Sequence, residues 1–278
     1  MTRAASQTAL LVAGFRARAS ARDEPVCSDP WAAELAGDEG LALAERYYSD
    51  NPHMELWVAL RTRFLDDEVR ARLARGARQV VVLGAGLDTR AARLAADGVR
   101  FFEVDQPASQ ADRHARLARA AGYPQDAAVS VACDFEHEDF LDRLVAAGFD
   151  AGEPAAFLWE GVVYYLPEVA VRATCRRVAT GTAAASVLSF DLLGRRIVDG
   201  GGLPERDESM RSMVSGLGEP LRFGTSDPLP LLADAGFRYV RQVSFDALAL
   251  SYTGTYVRER AFRFQSVVSA SRSPLEPA

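Results

Sequence analysis

The chain has 278 residues with 32 basic and 38 acidic side chains, a formal charge of −6, and 49% hydrophobic residues. This composition is typical of a globular protein and excludes a disordered chain. No apolar run approaches the roughly 20 residues that a membrane helix needs, and the acidic balance without arginine blocks argues against a nucleic-acid partner.

The first 78 residues show helical spacing of apolar positions and no convincing strand. Several arginines precede the first acid, Asp23, which loosely suits a transit peptide. Because Gly14 interrupts the short apolar stretch there, we instead expect a mature amphipathic helix from Ser6 to about Ser20. A second long helix is predicted over 53–73.

After Arg78, short apolar strands alternate with helices, which predicts a doubly wound, Rossmann-like α/β sheet. The last two predicted strands leave no room for a helix between them, so we expect one of them to be antiparallel. The chain is predicted to form one domain, 1–278, with a helical cover (1–78), a core (79–191 and 237–267) and a lid-like insertion (192–236). The seven predicted strands are 79–83, 99–104, 129–133, 155–159, 184–190, 237–245 and 259–267, and the core helices are 88–97, 107–121, 137–147 and 167–179.

The first predicted strand runs into a Gly-x-Gly turn formed by Gly84, Ala85 and Gly86. Glycines there let a polar ligand group approach the backbone, with N–H groups of the following helix facing it. The dinucleotide fingerprint would place a third glycine at position 89, where the chain has Thr89. This departure counts against a pyrophosphate ligand, while a merely tight turn remains an alternative.

Acidic residues close four of the predicted strands. Asp105 follows Gly84 by 21 residues, close to the roughly 20 expected for an acid that binds ribose hydroxyls. Its alternative role is to cap the next helix. Asp134, Glu160 and Asp191 end later strands, and the carboxyl ends of parallel strands share the edge where open α/β sheets bind ligands. We therefore predict a ligand site at this edge.

Four ordered motifs carry a likeness to a known family: LGAGLDTR at 83–90, FEVDQP at 102–107, CDFE at 133–136 and WEGVVYYLP at 159–167. Together they resemble the leucine carboxyl methyltransferase family, most closely its bacterial branch of S-adenosylmethionine-dependent O-methyltransferases, which includes polyketide carboxyl methyltransferases. The likeness continues at 8–17, 29–35 and 61–67, so it covers essentially the whole chain. It implies a class I methyltransferase fold and S-adenosylmethionine as the cofactor.

The resemblance also implies roles for individual residues around this cofactor. Its methionine part would lie over the glycine turn, its ribose would meet a strand-end acid, and its carboxylate would meet arginine. Two alternatives stay open: Arg61 could pair with Asp66, and Phe135 could belong to the core. The implied cofactor residues are Gly84, Ala85 and Gly86 (turn), Asp105 and Gln106 (ribose), Asp134 and Phe135 (adenine), Glu160 and Gly161 (amino group), and Arg61 and Arg16 (carboxylate), with Arg18 competing with Arg16.

Methyl transfer from a sulfonium is an in-line displacement, so the protein must mainly align donor and acceptor. None of the histidines, His53, His114 and His137, stands out as a general base, and His114 and His137 fall in predicted helices away from the strand ends. A carboxylate needs no base, since it is ionised at neutral pH. We therefore expect a carboxylate, or a hydroxyl, of a small organic or polyketide-type metabolite, with Tyr165 rather than Tyr164 lining the pocket.

Two other functions stay open: a nicotinamide-dependent oxidoreductase that uses the same sheet edge, and a cofactor-binding protein without catalysis. The absence of lysine excludes Schiff-base catalysis. Cys27, Cys133 and Cys175 are too few and too scattered for a disulfide framework or a zinc site. We expect reduced, buried thiols in a cytoplasmic protein that holds no metal.

Overall fold

The computed structural model describes residues 6–135, 137–200, 208, 211–212, 216–256 and 262–275. Its centre is a seven-stranded sheet of order β3-β2-β1-β4-β5-β7-β6, in which β7 runs antiparallel to both of its neighbours. The order of the strands reverses at β1, because β2 and β3 lie on one side of it and β4 and β5 on the other. This switch point places a crevice at the carboxyl ends of the central strands. The strands are β1 Gln79–Leu83, β2 Arg100–Asp105, β3 Val129–Ala132, β4 Ala155–Trp159, β5 Val187–Leu193, β6 Tyr239–Ser244 and β7 Gln265–Ser271.

Helices cover both faces of the sheet, and buried residues form a core cluster on each side of it. Strands β1, β4 and β5 are buried along their whole length, as the apolar runs in the sequence predict. The helices are α1 Gln7–Ser20, α2 Ala32–Asp50, α3 Pro52–Ala74, α4 Arg90–Arg93, α5 Pro107–Leu117, α6 Phe140–Ala146, α7 Glu168–Gly181, α8 Arg195–Asp199, α9 Leu229–Ala235 and α10 Phe245–Thr253, with a 3₁₀ turn at Val163–Tyr165 after β4.

The end of the chain differs from the prediction. The antiparallel strand is confirmed, but the expectation that no helix separates the last two strands is wrong, because α10 lies between them. Ser244 caps this helix by accepting the N–H of Ala247, and Gly254 ends it in the left-handed conformation. The last strand starts at Gln265 instead of 259, and residues 257–261 lie outside the described part of the chain.

Two further boundaries shift. Strand β5 continues to Leu193, three residues past the predicted end. The helix predicted over 88–97 shrinks to the four residues of α4, because the chain turns at Ala96, whose carbonyl accepts the N–H of Val99. The short α4 leaves the segment between the glycine turn and β2 with little helical support.

The first helix has the predicted position, but it is not amphipathic in the expected sense. Residues on all its sides are buried, Leu11 and Phe15 completely. Gly14 and Gly40 bring α1 and α2 into close contact, since a Cβ atom on Gly14 would lie 2.3 Å from the carbonyl oxygen of Gly40. At its N-terminus α1 reaches the sheet edge, where Ala9 lies over Gly86. Within the described ranges, no helix has the length and apolar character that crossing a membrane requires.

Candidate active site

A cavity of about 660 Å³ opens at the carboxyl ends of the central strands, under the N-terminus of α1. Its wall includes every side chain or turn that the sequence nominated for the cofactor and the acceptor. The structure therefore brings together residues that are far apart in the chain. They are Arg16, Arg61, Gly84, Ala85, Gly86, Asp105, Gln106, Asp134, Phe135, Glu160, Gly161 and Tyr165.

The glycine turn after β1 needs glycine at both positions. Gly84 has φ +67° and Gly86 has φ +47°, a region that side chains with a Cβ rarely adopt. A Cβ on Gly84 would also lie 2.5 Å from a methyl carbon of Val162. The N–H groups of Gly84 and Ala85 donate to the carbonyl of Val104, which ties the turn to β2.

Asp105 stands at the end of β2, and backbone donors hold both of its carboxylate oxygens. Oδ2 accepts the N–H of Gly86 at 2.6 Å, and Oδ1 accepts the N–H of Gln106 at 2.7 Å. Burial raises the pKa of this carboxyl group, although the two N–H donors oppose the shift. Helix α5 takes Gln106 as its N-cap residue and has no side-chain cap, so Asp105 supports the turn instead of capping the helix.

Arg61 lies in the cavity wall, but its partners differ from those expected. Its Nε donates to Glu160 Oε1 at 2.9 Å, and its Nη1 donates to Asp191 Oδ2 at 2.6 Å and to the hydroxyl of Tyr164 at 3.3 Å. Asp66, the alternative partner, instead pairs with Arg90 and with a second arginine of α4. Glu160 and Asp191 therefore occupy Nε and Nη1 of the Arg61 guanidinium. A ligand carboxylate cannot form a bidentate pair with two free nitrogens of this group.

Glu160 sits between two buried guanidinium groups. Its Oε1 accepts from Arg61, and its Oε2 lies 2.6 Å from Nη1 of Arg90. Burial alone would raise the pKa of Glu160, but Arg90 and Arg61 outweigh it and lower the value to about 2. Asp191 completes the arrangement, because its Oδ1 accepts the N–H of Gly161 at 2.7 Å. A permanently anionic carboxylate therefore borders the cavity.

Of the two arginines that α1 offers, the structure places Arg16 at the cavity and Arg18 away from it. Arg16 is buried and donates through Nε to Asp29 Oδ2 at 3.0 Å and through Nη2 to the carbonyl of Leu87. Arg18 turns the other way and pairs with Glu55 and Glu45. Of the two, only Arg16 lines the cavity, and its contact with a cofactor carboxylate stays a prediction.

Asp134 and Phe135 follow β3 at the far end of the cavity. Phe135 is half-buried and packs against the core, with its ring 6.1 Å from that of Phe140, so it contacts both the core and the cavity. The prediction that His137 lies in a helix away from the strand ends is wrong. Helix α6 begins only at Phe140, and the imidazole Nδ1 of His137 lies 3.0 Å from Asp134 Oδ2, just after β3. It is solvent-exposed and does not line the cavity.

The two tyrosines of the 3₁₀ turn take different positions, as expected. Their rings meet edge to face with centroids 4.7 Å apart. Tyr164 is buried against Arg61, whereas Tyr165 lines the cavity. Burial raises the pKa of both phenols, so both stay protonated at neutral pH.

Apart from Arg16, sequence reasoning named no individual residue in two segments of the wall, although it expected a helical cover and a lid-like insertion. The first turn of α1 lines the cavity, and the likeness at 8–17 could have indicated it. The second segment runs from Leu217 to Arg222, within the predicted insertion, where the Gly-Glu-Pro turn is a sequence signal. It is attached to the 3₁₀ turn, because the N–H groups of Arg222 and Phe223 donate to the carbonyl of Tyr164. The wall residues that the sequence did not single out, in these two segments and beside the predicted residues elsewhere, are Ser6, Gln7, Thr8, Ala9, Val12, Val82, Leu87, Asp88, Ala108, Ser109, Val162, Leu166, Leu217, Gly218, Glu219, Pro220 and Arg222.

The cysteines lie outside this chemistry. Cys27, Cys133 and Cys175 are all buried free thiols, and burial raises the pKa of each. Across the described residues, no group of three or more potential ligands could hold a metal ion.

Relatives of known structure share this architecture. A crystal structure of a DUF574 family protein from Streptomyces avermitilis matches with a TM-score of 0.61 and 15% identity, covering 93% of this chain and 96% of that one. A provisionally named methyltransferase from Thermobifida fusca matches with a TM-score of 0.57 and 19% identity, covering 87% and 92%. At these identities the likeness supports the fold alone, and the predicted doubly wound, Rossmann-like α/β fold is confirmed.

Sequence relatives give the family. A provisionally named S-adenosyl-L-methionine-dependent methyltransferase of Streptomyces coelicolor is 36% identical over 200 residues, which span 69% of this chain and 70% of that protein. Residues 9–179, more than half of the chain, match the leucine carboxyl methyltransferase family. The site motifs from the glycine turn to the 3₁₀ turn all fall inside this match. The chain therefore belongs to the leucine carboxyl methyltransferase family.

Proposed function

We propose that the chain is an S-adenosylmethionine-dependent methyltransferase that methylates an oxygen of a small molecule. One observation carries this proposal: a single cavity gathers the glycine turn, three of the four strand-end carboxylates and two buried arginines. The cofactor is S-adenosylmethionine, which supplies an electrophilic methyl group on a sulfonium for in-line displacement. Family membership supports the same activity.

The residues of the cavity suit the separate parts of this cofactor. Asp105 can accept hydrogen bonds from a ribose diol, because each of its oxygens has a further lone pair beyond its backbone donor. Glu160, held anionic, suits the ammonium group of the methionine part. Arg61 and Arg16 suit its carboxylate, and Arg61 offers Nη2, the one nitrogen of its guanidinium that is not engaged by Glu160, Asp191 or Tyr164.

The turn favours this cofactor over a nicotinamide dinucleotide. A pyrophosphate needs free backbone N–H groups at the start of the helix that follows the glycine turn. Here the N–H of Gly86 donates to Asp105, and the N–H of Arg90 donates to Asp88 at 2.6 Å. Carboxylates thus occupy two of these donors, and their charge would repel a phosphate.

The acceptor oxygen is best supplied by a carboxylate, with a hydroxyl as the second choice. Among the described residues, no histidine lines the cavity, and burial keeps the phenol of Tyr165 protonated. The described cavity wall therefore offers neither a histidine nor an ionised phenol as a general base. A carboxylate acceptor does not require a base, because it is already ionised at neutral pH. We propose a small organic or polyketide-type acid as the acceptor. Tyr165 and the segment 217–222, which line the cavity, would then face it.

We infer further that the chain works as one methyltransferase domain, with residues 1–78 as a cover, 79–191 and 237–267 as the core, and 192–236 as a lid-like insertion. The attachment of Arg222 and Phe223 to the 3₁₀ turn supports this role for the insertion. Its residues 201–207, 209–210 and 213–215 lie outside the described part of the chain.

Two measurements test the proposal. Isothermal titration should show binding of S-adenosylmethionine and S-adenosylhomocysteine and none of NAD; binding of NAD alone would overturn the proposal in favour of an oxidoreductase. A screen of carboxylic and phenolic acceptors with labelled methyl donor should then give label on a carboxylate. Transfer to none of many acceptors would favour a cofactor-binding protein without catalysis.

A further inference from the structure

Arg113 and Glu103 form a buried pair behind the glycine turn, where they do not line the cavity. Arg113, on α5, is 2% exposed, and Glu103, on β2, is 4% exposed. Nη2 of Arg113 lies 2.5 Å from Glu103 Oε1 and 3.4 Å from the hydroxyl of Tyr123. Burying two charges here is costly, so the pair invites a functional explanation.

The other end of the guanidinium holds the backbone of the turn. Nη1 of Arg113 donates to the carbonyl of Gly86 at 3.3 Å and also to the carbonyl of Asp88. On the opposite side of the same residue, the N–H of Gly86 donates to Asp105. The peptide groups around Gly86 are therefore held from behind by Arg113 and from the front by the proposed ribose-binding acid.

Other contacts in this segment reach different atoms, since Nη2 of Arg16 donates to the carbonyl of Leu87 and Nε of Arg93 donates to the hydroxyl of Thr89. Gly86 adopts a positive φ, and α4 is only four residues long, so a regular helical ladder does not anchor the segment 86–89. A charge-assisted hydrogen bond to a carbonyl is stronger than a neutral one. Losing it would leave buried carbonyl groups without this donor.

We propose that Arg113 is a positioning residue, which holds the Gly86 and Asp88 carbonyls so that the turn and Asp105 keep the geometry that binds the cofactor, and that ionised Glu103 keeps Arg113 in place. The proposal rests on the proposed function, because the ligand it concerns is S-adenosylmethionine. It assigns a role to two buried residues that do not touch the ligand.

The charges around Glu103 give this arrangement a pH dependence. Burial raises the pKa of Glu103 to about 7, while Arg113 opposes the shift from α5 and Asp88 and Asp105 add to it from the turn and from β2. Protonation below this pH removes the counter-charge of Arg113 and loosens its hold on the turn. Cofactor affinity should therefore fall as the pH drops through about 7.

Titration of S-adenosylmethionine and S-adenosylhomocysteine into the full chain between pH 5.5 and 8.5 tests the proposal. Arg113→Lys keeps the charge but cannot serve two carbonyls and a carboxylate from one planar group, so its Kd at pH 8 should rise about tenfold. Glu103→Gln should lose the step near pH 7 and keep the weaker, low-pH affinity of the wild type throughout. Asp105 titrates in both proteins, so the difference between them isolates Glu103.

Arg116→Lys is the matched control, because Arg116 lies on the same helix and pairs with Asp112 and the carbonyl of Leu35, away from the cavity. Its Kd should equal that of the wild type. Wild-type affinity and pH profile in both test variants would overturn the positioning role while leaving the methyltransferase proposal intact. A wild-type chain that binds neither ligand would overturn both. If Arg113→Lys fails to fold, Glu103→Gln decides by its pH profile.

Discussion

Two carboxylates at the same sheet edge have opposite pKa shifts, and their neighbours explain why. Asp105 is buried with neutral N–H donors, so burial dominates and its pKa rises. Glu160 is equally hidden but lies between Arg61 and Arg90, which lower its pKa to about 2. Glu160 therefore stays anionic throughout the neutral range, and its affinity for an ammonium group should not change with pH there.

Replacing Asp105 by Ala tests its contact with the ribose. Loss of hydrogen bonds from a charged acceptor should weaken S-adenosylmethionine binding by about 1–3 kcal/mol, measured by isothermal titration. Asp112→Ala is a control on the neighbouring helix α5, where that carboxylate lies outside the cavity wall and pairs only with Arg116 among the described residues. An unchanged Kd in Asp105→Ala would mean that this acid serves the turn alone.

Replacing Arg61 by Lys should reduce both stability and affinity. A single ammonium cannot reproduce the Nε and Nη1 contacts to Glu160 and Asp191 together. Glu160 keeps Arg90, but Asp191 loses its guanidinium partner, and leaving a buried charge without its partner costs about 3–5 kcal/mol. Thermal denaturation and titration of S-adenosylmethionine measure the two effects.

Arg63→Lys is the control for this change, since Arg63 lies on the same helix in an exposed pair with Asp67. An Arg61→Lys protein as stable as Arg63→Lys, with normal affinity, would contradict the role of the buried network. The motif around Arg61 was predictable from its likeness to the family, but its partners were not. They come from β4 and β5, 99 and 130 residues away along the chain.

At the scale of elements, the contact between α1 and α2 places the arginine side of the cavity. Gly14 and Gly40 let the two helices touch through their backbones. This contact orients α1 so that its first turn and Arg16 reach the sheet edge. The apolar pattern predicted α1 but not its burial on all sides, because burial depends on α2, α3 and the sheet packing around it.

Gly14→Ala should therefore destabilise the protein. The new Cβ would lie 2.3 Å from a backbone oxygen of α2, and such overpacking costs roughly 1–3 kcal/mol. The midpoint of thermal unfolding measures the loss. Gly216→Ala is the control, since a Cβ there meets no atom of the described residues within 4 Å; equal midpoints in the two variants would show that the helices move apart at little cost.

At the scale of the whole molecule, the order of the strands makes the site. The sheet places β2 and β3 on one side of β1, and β4 and β5 on the other. Their carboxyl ends deliver Asp105, Asp134, Glu160 and Asp191 around one glycine turn. Carboxylates and guanidinium groups then alternate within a largely buried network, which stays rigid when every charge has a partner.

A ligand that binds this assembled site should stabilise the entire fold. S-adenosylmethionine at 100 times its Kd should add about 2.7 kcal/mol to the free energy of unfolding. The unfolding midpoint should rise by roughly 5 °C for a chain of this size. A thermal melt with and without the ligand measures the shift, with NAD at the same concentration as control; an equal shift with NAD would contradict the assignment of the cofactor.

The sequence by itself determined the alternation of strands and helices, the glycine turn and the acids at the strand ends. These are local features, set by apolar periodicity, by the conformational freedom of glycine and by the order of motifs along the chain. Local patterns also marked where most elements begin, although they missed α10 and the short length of α4.

Only the tertiary structure decided which charges meet. In the folded chain, Arg61 pairs with Glu160 and Asp191, and Arg16 pairs with Asp29 in the cavity wall, whereas Arg18 lies elsewhere. His137 contacts Asp134, and Arg113 binds the backbone of the glycine turn. The partner of a buried charge is whichever group lies within hydrogen-bond reach after the sheet has formed. That choice depends on strand order and helix packing over more than a hundred residues, which no local pattern in the sequence encodes.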